Sequence, residues 1–330
     1  MASFQLDDQV LIQETLFVRI LTLNRPRQLN AHSLEMLSRL SQLFLAYEDD
    51  ANAKLIILKG KGRAFCAGGD VATVHRRFLE GNLKFGEKIG EKLLTLTYLV
   101  ATCSKPQVSI LNGIVMGGGV GISVHGKFSV ATENSIFAMP ENSLGLFPDV
   151  GSSYFLSRLP GFFGEYLGLT GARAASATSS SFDLAFISAI IDEHSLQQPA
   201  LKEKSALHKM DVIDKCFSRP TVEDILSALE KEVTTTDANK AEKEVQAMDE
   251  CLAREYRISC RVMRGQISKD FREGCRAILW DKDNKPKWKP SSLELISEHM
   301  VDHYFSRLDG DEELKLPQRC NLNVFANAKL

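Results

Sequence analysis

The first half of the chain alternates short apolar runs with longer segments in which apolar residues recur every three or four positions. Each apolar run has the length and the β-branched or aromatic content that is typical of a β-strand. The predicted strands cover residues 17–23, 55–59, 107–111 and 128–131. Strands that alternate with helical segments predict an α/β fold.

The intervening segments predict helices. Ser33 precedes an amphipathic segment at 34–47, where its hydroxyl is expected to cap the first turn. The predicted apolar stripe of this helix consists of Leu34, Met36 or Leu37, Leu40, Leu43 and Leu45. A second helix is expected over about 84–102, and another from Gly117 onward.

The second half is rich in helical patterns and poor in strand patterns, and no internal repeat is visible. Its predicted helices lie near 205–215, 221–232, 239–264 and 291–307. We therefore divide the chain into an α/β core at 1–173, which carries the active site, and a helical lobe at 174–330.

Composition narrows the function. The chain has 330 residues, of which 44% are apolar, and this is enough for a large core. A net charge of -2 argues against nucleic acid and against an anionic membrane surface as partners. The seven cysteines include no C-x-x-C pair, so we expect a reducing compartment and no metal site. No segment is apolar enough to span a bilayer, and the oligomeric state is left open, including a homo-oligomer.

Two glycine-rich turns carry the first part of the candidate chemistry. One lies at 65–70 and the other at 116–119, each just after a predicted strand. At one edge of a parallel sheet, two such turns could direct two backbone N–H groups at a single point. This arrangement stabilises a thioester carbonyl oxygen that becomes an oxyanion.

Two acids carry the second part. Glu141 and Asp149 each stand beside a proline on a segment that reads as irregular backbone. Met139, Leu146 and Phe147 are expected to bury this segment partly, and burial raises the pKa of a carboxyl group. A carboxyl group with a raised pKa suits a general acid or base.

Other motifs fail on spacing. The glycine run is neither a dinucleotide fingerprint nor a P-loop. His299 and His303 lack the glutamate of a zinc-protease helix and are expected on an exposed face. His125 is expected to pack rather than to catalyse.

Several segments together resemble the crotonase superfamily and, within it, the branch of 3-hydroxyisobutyryl-CoA hydrolases of the peroxisomal type. They are LNRPRQLNA (23–31), GRAFCAGGDV (62–71), SKPQVSILNGIVMGGGVGISVHG (104–126), FAMPENSLGLFPDVG (137–151) and DFREGCRAILWDKD (270–283). The resemblance covers most of the chain. It implies a core built as a superhelix of ββα units and a C-terminal helical lobe.

The resemblance also implies roles for the residues of the site. The N–H groups of Gly69 and Gly118 would form the oxyanion hole, and Glu141 would be the principal catalytic carboxylate. Asp149 would hold the 3-hydroxyl of the substrate or assist Glu141. The implied activity is hydrolysis of 3-hydroxyisobutyryl-CoA in valine breakdown, with no cofactor beyond the CoA of the substrate.

Coenzyme A would be held near the first glycine turn. The resemblance assigns this contact to the backbone of Cys66 and Ala67, with Arg27 as a phosphate partner. These residues follow from the resemblance alone.

Two alternatives remain. Hydratases of the superfamily carry a second glutamate three residues after the oxyanion glycine, where this chain has Gly121, so an enoyl-CoA hydratase or isomerase is less favoured. The chain is also shorter than the family near 174–181 and 237–251 by several tens of residues. A shortened relative that binds acyl-CoA without catalysis is therefore the other alternative.

The terminal residues Ala328, Lys329 and Leu330 fit a peroxisomal address of the S-K-L type. We therefore expect peroxisomal localisation, with the import receptor as a partner. The first residues, MASFQLDDQ, lack the Arg-rich, acid-poor character of a mitochondrial leader.

Overall fold

The structure is a computed structural model, and it describes residues 9–159, 161–175, 247–309 and 312–317. The predicted helices at 205–215 and 221–232, residues 239–246 of the next one, and the terminal tripeptide lie outside the described residues.

Two sheets organise the first half of the chain. The larger sheet has the strand order β1-β2-β3-β5-β7, with β1 antiparallel to β2 and the other neighbours parallel. Its strands are β1 (Val10–Glu14), β2 (Val18–Leu23), β3 (Leu55–Gly60), β5 (Gln107–Leu111) and β7 (Phe128–Ala131). All four strands predicted from the sequence are confirmed.

The smaller sheet has the order β4-β6-β8-β9, with only the β8–β9 pair antiparallel. Its strands are β4 (Ala64–Cys66), β6 (Ile114–Met116), β8 (Ile136–Ala138) and β9 (Ala174–Ala175). Each pass of the chain adds one strand to each sheet, as β3 with β4, β5 with β6 and β7 with β8. This repetition confirms the predicted α/β superhelix.

Nine α-helices lie in the described residues. They are α1 (Leu34–Asp49), α2 (Val71–Leu79), α3 (Lys84–Ala101), α4 (Gly118–Gly121), α5 (Ser152–Phe155), α6 (Phe163–Thr170), α7 (Ala247–Arg264), α8 (Asp270–Cys275) and α9 (Glu298–Phe305). Short 3₁₀-helices span Pro26–Gln28, Glu141–Leu144, Leu156–Arg158 and Leu293–Leu295, and a π-helix spans Arg276–Trp280.

Helix α1 begins as predicted, because the Ser33 hydroxyl accepts a hydrogen bond from the Met36 amide at 3.1 Å. The predicted apolar stripe is wrong at one position. Leu45 is 44% exposed, whereas Phe44 and Tyr47 are buried. The helical period of 3.6 residues continues the stripe from Leu40 through these two aromatic residues.

Two glycine-rich regions hide short elements. The segment that reads as a turn at 62–70 contains β4, and the helix expected from Gly117 onward is only the single turn α4. Both elements are fully buried. Three of the four residues of α4 are glycines, so tertiary packing rather than helix propensity stabilises it.

The helices of the second half join the core through α3. Leu94 and Tyr98 on α3 pack against Met248, Leu252 and Tyr256 on α7 in a separate buried cluster. Full burial of one such leucine contributes about 1.5–3 kcal/mol. Helix α7 is therefore held against the same helix that packs on the first core.

Among the described residues, no helix combines the length and the apolar character that a membrane crossing requires. The five described cysteines form no disulfide.

Candidate active site

The two glycine turns meet at one sheet edge. Strands β4 and β6 are parallel neighbours, so both turns leave the sheet at the same end. A methyl group on Gly68 would lie 3.2 Å from the Gly118 nitrogen and 3.1 Å from the Met116 oxygen. Gly68 also has a φ of 98°, which favours glycine. The turns are therefore in direct backbone contact, as predicted.

Two backbone hydrogen bonds to His32 flank the Gly69 amide. The His32 N–H donates to the Gly68 oxygen at 2.7 Å, and the Asp70 N–H donates to the His32 oxygen at 3.0 Å. In the described part of the chain, neither the Gly69 amide nor the Gly118 amide donates to a protein acceptor. Gly118 is also the first residue of α4, where no intrahelical acceptor exists. Both amides can donate to a ligand oxygen.

Asp70 fixes the turn from its other side. Its Oδ1 accepts from the Thr73 amide at 3.1 Å and caps α2, while its Oδ2 pairs with Arg25 Nη2 at 2.9 Å. Arg25 also donates to the Ala31 oxygen. The loop before α1 and the Gly69 turn are thus tied together by one half-buried ion pair.

Glu141 lies directly against the second glycine turn. Its side chain is buried, with the residue 7% exposed, and its Oε1 lies 2.6 Å from where a Cβ on Gly117 would stand. Its Oε2 is buried and has no hydrogen-bond partner. Burial raises the pKa of Glu141 well above its ordinary value, and the charges of Asp149 and Glu255 add to the rise. The carboxyl group is positioned to exchange a proton with a ligand.

Asp149 lies in the loop that follows and is half-buried. Burial and then the charge of Glu255 raise the pKa of Asp149 to about 7, although the Ser259 hydroxyl acts in the opposite direction. The charge of Asp149 acts on Glu141, so the structure brings the two predicted acids within electrostatic reach of each other.

Sequence reasoning missed a third acid. Glu255 on α7 is 2% exposed and accepts hydrogen bonds from the loop that follows Asp149. Burial raises the pKa of Glu255 to about 7. The available signal was its position: it falls between Cys251, Leu252 and Ser259 on the buried stripe of an amphipathic helix, where an acid is unusual.

The residues predicted to bind CoA lie near the first turn. Arg27 is exposed on the 3₁₀-helix Pro26–Gln28. Ala67 is half-buried, and its amide donates to the Leu29 oxygen at 3.0 Å. Cys66 is fully buried, and its backbone oxygen lies 2.5 Å from where a Gly119 Cβ would stand, so the two turns pack closely at this point. A CoA contact at these residues stays a prediction.

The histidines pack rather than form a site. His125 lies between the rings of Tyr154 and Phe155, and burial lowers its pKa to about 4. His303 contacts Arg261. Among the residues that the structure describes, no cluster of His, Cys, Asp or Glu fits a metal ion.

A cavity of about 450 Å³ is lined by residues of the acid loop and by residues of α7, α8 and α9. Leu146, Phe147, Trp288 and Phe305 are among its lining residues, and none of the four predicted catalytic residues lines it. The cavity is therefore separate from the contact of the two glycine turns.

Comparison with known proteins gives consistent relatives. A family model described as enoyl-CoA hydratase/isomerase matches residues 18–187 and 233–305. The 3-hydroxyisobutyryl-CoA hydrolase 1 of Arabidopsis thaliana is 53% identical over 370 residues, which covers 98% of this chain and 98% of that protein. A second Arabidopsis thaliana protein, named probable 3-hydroxyisobutyryl-CoA hydrolase 3, is 51% identical over 96% of this chain and 97% of its own length.

A solved structure agrees in fold. The crystal structure of a carnitinyl-CoA dehydratase from Mycobacterium thermoresistibile has a TM-score of 0.78 and 29% identity, and covers 95% of this chain and 100% of that chain. The alignment of 370 residues to the Arabidopsis hydrolase exceeds the 330 residues of this chain. Several tens of aligned positions therefore have no counterpart here, in agreement with the expected shortfall.

Proposed function

This chain belongs to the enoyl-CoA hydratase/isomerase family, and we propose that within it the protein is a thioester hydrolase acting on 3-hydroxyisobutyryl-CoA. The products are 3-hydroxyisobutyrate and CoA, which places the reaction in valine degradation. One observation carries the proposal: a buried, unpaired carboxyl oxygen of Glu141 adjoins two glycine turns whose amides can bind a carbonyl oxygen.

In the reaction, the Gly69 and Gly118 amides hold the thioester oxygen as it gains negative charge. Water attacks the carbonyl carbon while Glu141 takes its proton, and a C–O bond forms. The C–S bond then breaks, the sulfur takes a proton, and the free acid and the thiol of CoA leave. Glu141 accepts this proton in its ionised form, and burial, which raises its pKa well above the ordinary value, makes the carboxylate a stronger base.

Asp149 is suited to the complementary role. A carboxyl group with a pKa of about 7 still carries its proton in part of the molecules at neutral pH. It can donate that proton to the leaving sulfur, or bind the 3-hydroxyl of the acyl group. A direct attack of Glu141 on the thioester, with an anhydride that water then hydrolyses, uses the same residues.

Gly121 favours hydrolysis over hydration. A Cβ at this position would lie 2.6 Å from the Val150 Cβ and 2.8 Å from the Val150 oxygen. Contacts this close leave no room for the second glutamate that hydratases of the superfamily carry there. The observation speaks against an enoyl-CoA hydratase, which needs two acids to add water across a double bond.

The test is release of free thiol from 3-hydroxyisobutyryl-CoA by the purified protein, with crotonyl-CoA as a parallel substrate. Thiol release from the first compound supports the hydrolase. Loss of the enoyl absorbance of crotonyl-CoA without thiol release would instead identify a hydratase. Binding of both compounds without turnover would identify the shortened, non-catalytic relative.

For the cellular location, we propose peroxisomal import directed by Ala328, Lys329 and Leu330, on the basis of the tripeptide alone. A fluorescent protein fused to the N-terminus is expected to give a punctate peroxisomal signal. Deletion of the three residues should leave the fusion in the cytosol, and an unchanged punctate signal after deletion would reject this address.

A further inference from the structure

We propose that Glu255 is a positioning residue of this enzyme, which ties helix α7 to the acid loop and fixes the Asp149 carboxyl group beside Glu141. The inference rests on the proposed function and extends it to a helix about one hundred residues further along the chain.

The geometry of the tie is specific. Glu255 Oε2 accepts from the Gly151 amide at 2.7 Å, and its Oε1 accepts from the Ser153 amide at 2.9 Å and from the Ser153 hydroxyl at 2.6 Å. The Ser152 amide donates to the backbone carbonyl oxygen of Asp149 at 3.0 Å. The turn that Glu255 holds is therefore the turn that ends the Asp149 loop.

The path of this turn leaves little freedom. Gly151 has a φ of 81°, and a Cβ there would lie 2.5 Å from His125 Nε2. The turn therefore has no room for a side chain at Gly151, and the buried Glu255 carboxylate holds the turn from the side of α7. Loss of these bonds would release the Asp149 loop without removing any group that touches substrate.

The same bonds decide which acid carries the negative charge. Three donors to Glu255 stabilise its ionised form, and Asp149 is the acid on which that charge acts. Buried acids that interact titrate together, and the one with the most donors ionises first. The charge on Glu255 then keeps a proton on Asp149, which is the form that can donate to sulfur or to a hydroxyl group.

Among the described residues, the groups coupled electrostatically to Glu255 are Asp149 and Glu141 on the loop and Arg254 on its own helix. His125 lies against Gly151 of the turn, and Arg158 acts on His125. On α3, Glu87 and Glu91 act on Tyr256 rather than on Glu255, and His303 on α9 contacts Arg261. Arg254 is thus the one cation in this set that acts on Glu255.

The experiment measures kcat against pH for the full chain and for two variants, Glu255→Gln and Ser153→Ala. Glu255→Gln removes the charge, and Ser153→Ala removes one donor at an exposed residue and leaves the fold intact. Matched controls are Glu250→Gln, an exposed acid on the same helix, and Ser157→Ala, an exposed serine one turn beyond Ser153.

We expect both limbs of the pH profile to move to lower pH, by about one pH unit in Glu255→Gln and by less in Ser153→Ala. The sign follows because removal of a negative neighbour lowers the pKa of Glu141 and of Asp149 alike. The controls should not move. A role in structure alone would lower kcat or the melting temperature without moving either limb, and that result would overturn the inference.

A second readout separates this inference from the proposed function. In protein labelled with ¹³C at its carboxyl groups, the titration of Asp149, assigned with Asp149→Asn, should shift to lower pH in Glu255→Gln. If the wild type releases no thiol, the hydrolase proposal fails, and this titration still decides the role of Glu255. An unmoved Asp149 titration in a folded variant refutes the positioning role.

Discussion

The two halves of the site are built in opposite ways. The backbone half consists of the Gly69 and Gly118 amides, carried by neighbouring strand ends and locked by close backbone contacts. The carboxyl half consists of Glu141, Asp149 and Glu255, and joins the 141–153 segment to a helix 102–104 residues away. The first half depends on the absence of side chains, and the second half depends on the charges that side chains carry.

This difference separates two kinds of sensitivity. Backbone amides do not titrate, so the oxyanion half should be insensitive to pH and intolerant of added volume. The three acids, whose pKa values are raised, should respond strongly to a loss of charge even when the replacement side chain keeps the same shape. Substitutions that alter volume or charge alone can therefore test the comparison.

The largest effect is expected from Glu141→Gln, which removes the charge and keeps the shape. Loss of a general base costs about 10²–10⁴ in rate, and folding should be unchanged because the buried carboxyl group gains no new clash. The measurement is kcat for thiol release together with the melting temperature. Glu165→Gln, at an exposed position on α6, is the control and should retain full activity. Near-native turnover by the Glu141 variant would remove this residue from the mechanism.

The second-largest loss of activity is expected from a volume change in the backbone half. Gly118→Val places methyl groups toward Leu93 and His32, whose nearest atoms lie 2.9 Å and 3.2 Å from the Cβ position. The displaced amide should lower kcat by roughly 10²–10³, the cost of one oxyanion donor, at every pH tested. The control is Gly90→Val on α3, where a Cβ meets no atom within 4 Å. Activity that survives in the Gly118 variant would contradict the oxyanion-hole assignment.

The sequence predicts the two halves unequally, for physical reasons. The glycine turns are local motifs that directly follow strands, so their meeting at one sheet edge follows from the order of the elements. Glu141 and Asp149 are visible because apolar neighbours surround them. The unusual position of Glu255 on a buried helix stripe is visible in the sequence, but its place in the site depends on the contact of α7 with the turn at Gly151 and Ser153, which no local pattern encodes. Strand β4 is hidden for a similar reason, since it has only three residues within a glycine-rich segment and its pairing with β6 makes it a strand.

The pH dependence of stability should distinguish the carboxyl half, which titrates, from the backbone half, which does not. The pKa of Asp149 is raised from its ordinary 3.8 to about 7 in the folded protein. Its contribution to stability is therefore fully present below about pH 4 and is lost as the pH rises through about 7. Asp149→Asn has no carboxyl group to ionise and so does not lose this stability. The melting temperature of the variant minus that of wild type should therefore increase from pH 5 to pH 8.

Thermal unfolding of both proteins across this range provides the measurement. The control, Asp309→Asn, changes an exposed acid near the end of the described residues and should give a difference that does not depend on pH. A constant difference for Asp149→Asn as well would mean that the carboxyl group titrates normally in the folded protein.

The smallest effect should come from the ion pair that supports the backbone half. Asp70→Asn keeps a side chain that can cap α2 but removes the charge that pairs with Arg25, at side chains only 17% and 14% exposed. Since Asp70 directly follows Gly69, a looser turn should lower kcat a few-fold with little change in KM. A hydrogen bond to a charged group contributes about 1.5–3 kcal/mol, so the melting temperature should also fall.

The control lies at the other end of the same helix, where Glu80→Gln breaks the Arg77–Glu80 pair, whose side chains are 47% and 48% exposed. Exposed pairs of this kind contribute about 0–1 kcal/mol, so Glu80→Gln should leave both quantities nearly unchanged. If the two variants behave alike, the Gly69 turn is held by its backbone contacts alone, and the backbone half needs no charge at all.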